Sequence, residues 1–104
     1  MVRLNVTKLD KAWRYNRVPP GGEPYIDTLA KYQDAKEWVE TNEPIWASTV
    51  GLDDDDKGEG VYFIDGRNRF AALRDLGYTE VEAWACRSEV AQLKRRYSTA
   101  KLRT

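Results

Sequence analysis

The residues best suited to chemistry lie in one short stretch, Asp65-Gly66-Arg67-Asn68-Arg69, between an apolar run and a helix-forming segment. A glycine between a strand and a helix lets the backbone approach a bound group closely. The N–H groups of the first helical turn then point at that group, where the helix dipole favours an anion. Arginine side chains suit phosphate or carboxylate oxygens. This pattern indicates an anion-binding corner; the alternative is a simple turn whose arginines are exposed or pair with acidic residues.

Composition excludes several other kinds of chemistry. The 104 residues contain no histidine and a single cysteine, Cys86. The sequence therefore excludes Ser-His-Asp and Cys-His catalysis, His-based metal sites, an internal disulfide and a multi-cysteine zinc site, and we expect no metal site. Cys86 lies in a predicted strand, where we expect a buried and inert thiol. Its unpaired state favours a reducing cytosol, so a cytoplasmic location is expected.

Length and hydropathy indicate one globular domain over residues 1–104. Hydrophobic residues make up 41% of the chain and charged residues 33%, which is typical of folded proteins rather than disordered ones. No apolar run approaches the roughly 20 residues that span a bilayer. The N-terminus has no signal-peptide core, so no membrane partner is expected.

The net charge is zero, but the charges are segregated along the chain. Residues 34–60 hold nine acidic and two basic side chains, whereas residues 67–104 hold nine basic and four acidic ones. A basic C-terminal third favours contact with nucleotide or nucleic-acid phosphates, and a solvated surface is the alternative. The candidate nucleic-acid contacts are Lys94, Arg95, Arg96, Lys101 and Arg103.

The acidic run at 53–56, followed by Lys57 and Glu59, first suggests a metal site. An EF-hand loop that starts at Asp53 would need ligands where this chain has Lys57 and Ile64, so the match fails. We expect a solvated, mobile hairpin tip. The alternative is a loop that mimics a phosphate backbone for a basic partner.

Hydrophobic periodicity predicts a small α+β domain with the order β-α-β-β-α-β-α. An irregular stretch follows the first strand, and Trp38, Trp46 and Trp84 are expected in the core. In the irregular stretch, Trp13 and Tyr15 are candidates for stacking on a base or for a partner contact. The predicted strands lie at 2–7, 45–50, 61–64 and 81–86, and the predicted helices at 27–40, 67–76 and 88–102.

The segment 61–81 resembles the ParB/sulfiredoxin superfamily. In that superfamily an apolar strand ends in a small-residue turn, an arginine and an Ala-rich helix follow, and a Gly-containing turn leads into another strand. Here these features are the stretch from Asp65 to Leu73 and the stretch from Gly77 to Val81. The likeness is specific at 61–81 and looser over most of 2–87, and it implies a ParB/sulfiredoxin-like α+β fold.

The resemblance also implies a ligand. In ParB-type members the matching corner holds the phosphates of a nucleoside triphosphate, which implies phosphate-binding roles for Gly66, Arg67, Asn68 and Arg69 and a nucleoside triphosphate with Mg²⁺ as ligand. The early loop of the superfamily adds an arginine to the site, here Arg17. Sulfiredoxin has its catalytic cysteine where this chain has Arg67 and a histidine where it has Asn68, so sulfinic-acid reduction is not expected.

Three functions remain open from the sequence. The first is a nucleotide- or phosphate-binding accessory module of a phage, plasmid or bacterium that acts in DNA-related processes. Weak nucleotide hydrolysis stays open there; Asp65 is the single candidate base, but it is better suited to capping the turn. The second is an adaptor or inhibitor of a host protein. The third is DNA binding or nuclease activity through the basic C-terminal helix. ParB proper has a helix-turn-helix domain beyond this segment, and since this sequence ends at Thr104, we expect no ParB-style clamp on a specific DNA site.

Overall fold

The computed structural model describes residues 2–14, 17–22, 26–41 and 46–98, without the side chains of 22, 26–28 and 46–48. This part of the chain contains four strands and four α-helices in the order β-α-α-β-β-α-β-α, with short 3-10 turns at Pro20–Gly22 and Arg87–Glu89. The strands are β1 (Val2–Asn5), β2 (Trp46–Leu52), β3 (Val61–Asp65) and β4 (Glu80–Ala85), and the helices are α1 (Val6–Ala12), α2 (Ile26–Thr41), α3 (Arg67–Asp75) and α4 (Val90–Tyr97).

The strands form one mixed sheet in the order β1-β4-β2-β3. β2 and β3 make an antiparallel hairpin, β4 runs parallel to β2, and β1 pairs antiparallel with β4. Side chains alternate between the two faces of a strand. β4 accordingly buries Val81 and Ala83 and turns Glu82 and Trp84 to the opposite face. The helices pack on the face that carries the buried residues.

Three aromatic rings fix the β3–α3 connection in the core. Phe63 of β3 stacks on Phe70 of α3 with ring centres 4.6 Å apart, and Trp13 meets them edge-on at 4.8 and 5.5 Å. All three side chains are buried. Because aromatic pairs combine large buried area with preferred geometry, this cluster holds the start of α3 close to the end of β3.

The predicted α+β class, the four strands and the helices at 27–40 and 67–76 are confirmed, with ends shifted by a residue or two. Gly77 follows α3 at φ 92°, and its N–H donates to the carbonyl of Arg74, as expected for a residue just past a helix end.

The extension of the first strand to residue 7 is wrong. Asn5 caps α1, because its side-chain oxygen accepts a hydrogen bond from the N–H of Lys8 at 2.8 Å. Val6 and Leu9 then lie one turn apart and are both buried. The stretch predicted as irregular therefore begins with a short helix.

The last helix is also shorter than predicted. Arg87–Glu89 form a 3-10 turn, and Ser88 gives no capping bond to the helix that starts at Val90. α4 ends at Tyr97, where Ser98 turns to extended backbone with ψ 161°. The predicted continuation toward 102 lies outside the described residues.

Two burial predictions fail on β4 and the residue after it. Trp84 is 50% exposed, because it points away from the helices on the uncovered face of the sheet. Cys86 is exposed beyond the end of the strand. Trp38 packs against the core as predicted, while the side chain of Trp46 and the whole of Tyr15 lie outside the described residues. Within the described ranges, no helix is long and apolar enough to cross a bilayer.

Candidate phosphate-binding site

The connection between β3 and α3 is a single glycine in a left-handed conformation. Gly66 has φ 73° and ψ 20°, and its carbonyl accepts the first helical bond from the N–H of Phe70 at 2.9 Å. Such a backbone conformation favours glycine. Because this N-cap residue has no side chain, it places nothing between a ligand and the first-turn N–H groups of α3.

The corner opens into a cleft of about 360 Å³ between α3 and α2. The structure thus brings together Gly66, Arg67, Asn68 and Arg69, four of the five phosphate-site residues predicted from the sequence. Lys31 of α2 adds a further positive charge, so among the described lining residues three cations accompany one carboxylate, that of Asp65. The cleft is lined by Lys31, Ala35, Phe63, Ile64, Asp65, Gly66, Arg67, Asn68 and Arg69.

The two arginines of the cleft have different surroundings. The guanidinium of Arg69 lies 4.1 Å from the centre of the Trp38 ring, a cation–π contact that ties α3 to α2. Arg67, by contrast, forms no ion pair with any carboxylate in the described part of the chain. The charge of Arg67 is therefore not neutralised by a carboxylate of the described residues and is available to an incoming anion.

The side chain of Asp65 forms a hydrogen bond with the neighbouring strand β2 instead of capping the turn before α3. Its Oδ1 accepts a hydrogen bond from the N–H of Thr49 at 3.1 Å, where the pairing of β2 and β3 is irregular between Thr49 and Val50. The predicted capping role is replaced by this bond. One carboxylate oxygen of Asp65 is thus engaged by the backbone of the sheet.

Asn68 contributes a polar atom that lacks a partner. Its Oδ1 is buried and accepts no hydrogen bond from the described residues. A buried polar atom without a partner raises the free energy of the folded state by about 1–3 kcal/mol. Because this oxygen is inaccessible to solvent, a ligand in the cleft does not reach it in this arrangement.

Arg17, the fifth predicted site residue, is not among the residues that line the cleft. Its NH2 lies 3.1 Å from Oδ2 of Asp10, and its guanidinium lies over the ring of Trp13 at 5.9 Å. The structure places it on the α1 side of the molecule.

The same Asp10 belongs to a polar network that fixes α3 against α1 and α2. Arg74 of α3 donates to Asp10 at 3.1 Å, to the carbonyl of Val18 at 3.0 Å and to Asp75 at 2.8 Å. Asp75 in turn accepts from the hydroxyl of Tyr32 at 2.7 Å. This network lies at the end of α3 away from the cleft and holds the helix in place.

The ionisation of the network follows from these contacts. Burial and the bond to Asp75 raise the pKa of Tyr32 to about 12. Burial opposes the charge on Asp75, but the bonds from Arg74, the N–H of Gly21 and Tyr32 outweigh it and hold the pKa of Asp75 below its usual range. Burial likewise opposes the charge on Arg74, and its bonds to Asp75 and Asp10 leave its pKa raised.

The candidate nucleic-acid contacts are only partly available. Arg96 binds Asp54 through two nitrogens and lies 3.3 Å from Glu59. The acidic hairpin tip is thus held by an ion pair, while its residues 54–59 are exposed as expected. Hydrogen bonding from the Arg96 side chain is the main cause of the lowered pKa of Asp54. Arg95 donates to the side chain of Gln92 at 2.7 Å. Lys94 is exposed, and Lys101 and Arg103 lie outside the described residues.

The donors present suit phosphate better than a protein-held metal. In the described ranges, no group of three or more Asp, Glu or Cys side chains is arranged to hold a metal ion. Among the described residues, Asp65 is the one carboxylate that lines the cleft. Since Mg²⁺ usually binds through one or two carboxylates together with substrate phosphates, this lining would suit a magnesium ion only together with the phosphates of a bound ligand.

Sequence reasoning missed the contribution of α2. Lys31, Ala35 and Trp38 lie at helical spacing on the side of α2 that meets α3. The periodicity of the predicted helix marked positions 29, 32, 35, 36 and 39, so it included Ala35 but not Lys31. No local signal indicated that Lys31 would line the same cleft as Gly66.

No family model and no curated protein matches this chain. A solved structure does: the Oncogenic Suppression Activity protein, a plasmid fertility inhibition factor crystallised as a gold(I) cyanide derivative. The two superpose with a TM-score of 0.69 at 18% sequence identity, over 95% of this chain. The two chains share a fold. This chain spans 56% of that longer protein, and its mixed four-stranded sheet with four helices is compatible with a ParB/sulfiredoxin-like fold.

Proposed function

We propose that this protein binds a nucleotide, or another small phosphate-bearing ligand, in the cleft at the start of α3. The observation that carries the proposal is the convergence of Lys31 and Arg67 on the glycine corner at Gly66, in a cleft of about 360 Å³. A left-handed glycine, a helix N-terminus and available guanidinium charge together favour phosphate oxygens.

Each residue of the cleft has a distinct part in this proposal. Arg67 and Lys31 neutralise the phosphates, and the first-turn N–H groups of α3 bind their oxygens. Asn68 lines the cleft beside the phosphates. Arg69 positions α3 against Trp38. We expect binding without rapid hydrolysis, because Asp65 is the single candidate base among the described residues that line the cleft.

The fold neighbour supports one biological setting. A plasmid fertility inhibition factor shares this fold, which is consistent with an accessory protein of a plasmid or phage. We propose that this protein acts in DNA-related processes and that nucleotide binding lets it respond to them.

Calorimetric titration with ATP, CTP and GTP, each with and without Mg²⁺, tests the proposal. We expect saturable binding of at least one nucleotide, with higher affinity in Mg²⁺ if the metal arrives bound to the phosphates. Inorganic phosphate serves as the competing ligand, because it should displace a nucleotide that is held by its phosphates. The absence of heat with all three nucleotides would contradict the proposal.

A second candidate function is binding of a protein partner through the uncovered face of the sheet. Trp84 and Ile64 are 50% and 62% exposed on this face, and large aromatic residues are frequent centres of protein interfaces. The fold neighbour is an inhibition factor, which fits an adaptor or inhibitor of a host protein. A Trp84→Ala variant would lose partner binding under this alternative and keep nucleotide binding.

A further inference from the structure

A second cluster of positive charge lies at the opposite end of β3 from the cleft. There Arg96 of α4 meets the acidic loop, which we define as residues 53–59. Its NH1 and NH2 lie 2.8 and 3.1 Å from the two carboxylate oxygens of Asp54, and its Nε lies 3.3 Å from Oε2 of Glu59. Every nitrogen of this guanidinium is therefore held by a carboxylate of the acidic loop.

Arg14, which follows α1, binds the same loop from another direction. Its NH2 donates to the carbonyls of Gly58 at 3.1 Å and Glu59 at 2.8 Å, and lies 3.4 Å from Oδ1 of Asp55. Gly60 is needed for this approach, because a Cβ there would overlap the side chain of Arg14. Two arginines from separate elements thus converge on one acidic segment.

The loop holds Arg96 in the geometry that a phosphate group would use. A guanidinium binds a carboxylate or a phosphate through two parallel hydrogen bonds. Only 14% of the Arg96 side chain is exposed under the loop. Its neighbours Lys94 and Arg95 are exposed and make no ion pair within the described residues. The acidic loop therefore covers the last of three consecutive cations of α4, while the two that precede it, Lys94 and Arg95, face solvent.

Two polar atoms beside the closed loop are unsatisfied. Nε of Arg14 and Oδ2 of Asp53 are buried without a hydrogen-bond partner among the described residues. Gly58 at the tip has φ 126°. Because buried polar groups in folded proteins are nearly always paired, this arrangement carries a cost that opening of the loop would relieve.

We propose that the acidic loop is an autoinhibitory occupant of a nucleic-acid-binding surface formed by Arg14, Lys94, Arg95 and Arg96. Phosphates of a nucleic acid displace Asp54 and Glu59 from Arg96, and the loop moves away from α4. This surface is separate from the cleft at Gly66 and does not depend on nucleotide binding there.

The test compares two variants that remove the same charge from the same loop. Asp54→Asn breaks the pair with Arg96, whereas Asp56→Asn is a matched control, because Asp56 pairs with no cation in the described residues. Binding of a fluorescently labelled short DNA duplex is followed by anisotropy at low salt. We expect Asp54→Asn to bind about tenfold more tightly than Asp56→Asn, the effect of freeing one charge-assisted contact. Equal affinities would overturn the proposal.

The rate of proteolytic cleavage within the acidic loop measures how accessible the loop is in the wild-type protein. The run Asp53-Asp54-Asp55-Asp56-Lys57 is an enteropeptidase-type cleavage sequence. Addition of the unlabelled duplex to the wild-type protein should accelerate cleavage after Lys57, because the loop is displaced. A structural clamp with no nucleic-acid role would show no such acceleration, and protection by DNA would overturn the proposal.

Further controls test whether a variant is folded, whether Arg96 holds the loop, and whether the surface prefers nucleic acid to an acidic peptide. Arg96→Gln should speed cleavage relative to Arg95→Gln with no DNA present, and it should abolish the affinity gained by Asp54→Asn. Circular dichroism verifies that each variant is folded. A polyglutamate peptide that binds Asp54→Asn as tightly as the duplex would overturn nucleic acid as the occupant and point to an acidic protein segment.

Discussion

Arg69 of α3 and Trp38 of α2 form a cation–π contact between the two helices that enclose the cleft. The guanidinium lies 4.1 Å from the centre of the indole ring. Because of this contact, the two arginines of the corner, Arg67 and Arg69, have different roles. Arg69 joins α3 to α2, and Arg67 remains available to a ligand. The distinction is testable because each residue can be changed without changing the other.

Replacement of Arg69 by methionine keeps the aliphatic stem and removes the cation over Trp38. We expect the free energy of unfolding to fall by about 0.5–1 kcal/mol, the usual contribution of a cation–π contact at a partly exposed site. Denaturant titration followed by tryptophan fluorescence measures the change. An unchanged unfolding midpoint would show that the contact does not stabilise the α2–α3 pair.

Replacement of Gly66 by alanine tests the corner itself. Its φ of 73° disfavours any side chain, so we expect a loss of about 1 kcal/mol of stability together with weaker nucleotide binding. Gly77→Ala is the matched control, because Gly77 has φ 92° and a Cβ there meets nothing within 4 Å. The control should lose similar stability in thermal unfolding and keep its nucleotide affinity. Equal nucleotide affinity in both variants would contradict a phosphate-binding role for the corner.

The hydroxyl of Tyr32 should titrate far above an ordinary tyrosine. Its pKa of about 12 lies above the ordinary value near 10, so the unfolded chain loses this proton first as the pH rises. The stabilisation is therefore complete below pH about 10 and is lost as the pH approaches 12. Denaturant unfolding across this range should show the loss in wild-type protein and in Tyr78→Phe, but a smaller one in Tyr32→Phe. Equal pH dependence in the two variants would contradict the assignment.

Cys86 should react readily in the folded protein. The thiol is exposed, and its hydrogen bond with the side chain of Ser88 lowers its pKa below the usual value. Reactivity of a cysteine follows its thiolate fraction and its exposure. A disulfide reagent should modify native protein about as fast as unfolded protein, and Ser88→Ala should slow the reaction near neutral pH. Protection of the thiol in the native state would show that it is buried, as the sequence suggested.

Much of the fold was readable from the sequence because its signals are local. The apolar run before Asp65, the glycine at 66 and the period of α3 together predict a strand, a turn and a helix. The same local signals placed four of the five candidate phosphate-site residues around one cleft. The short helix α1 was missed because alternation of Val2, Leu4 and Val6 continues into it, and the capping role of Asn5 was not recognised.

The remaining features depend on contacts between distant parts of the chain. The charge segregation showed that acidic and basic segments exist, but nothing local indicated that Arg96 would bind Asp54, 42 residues away. Arg17 was assigned to the cleft by family resemblance, whereas in this chain Asp10 holds it. The exposure of Trp84 depends on which face of the sheet the helices cover, which strand alternation alone does not specify.

The most direct test of phosphate recognition is nucleotide affinity in a pair of arginine variants. Arg67→Ala removes a cation of the cleft, while Arg87→Ala removes an exposed arginine outside it with the same change in net charge. Calorimetric titration with the nucleotide that binds wild-type protein should show at least about tenfold weaker binding for Arg67→Ala, as expected for loss of a charged hydrogen bond, and unchanged binding for Arg87→Ala. Equal affinities in the two variants would contradict phosphate recognition at the start of α3.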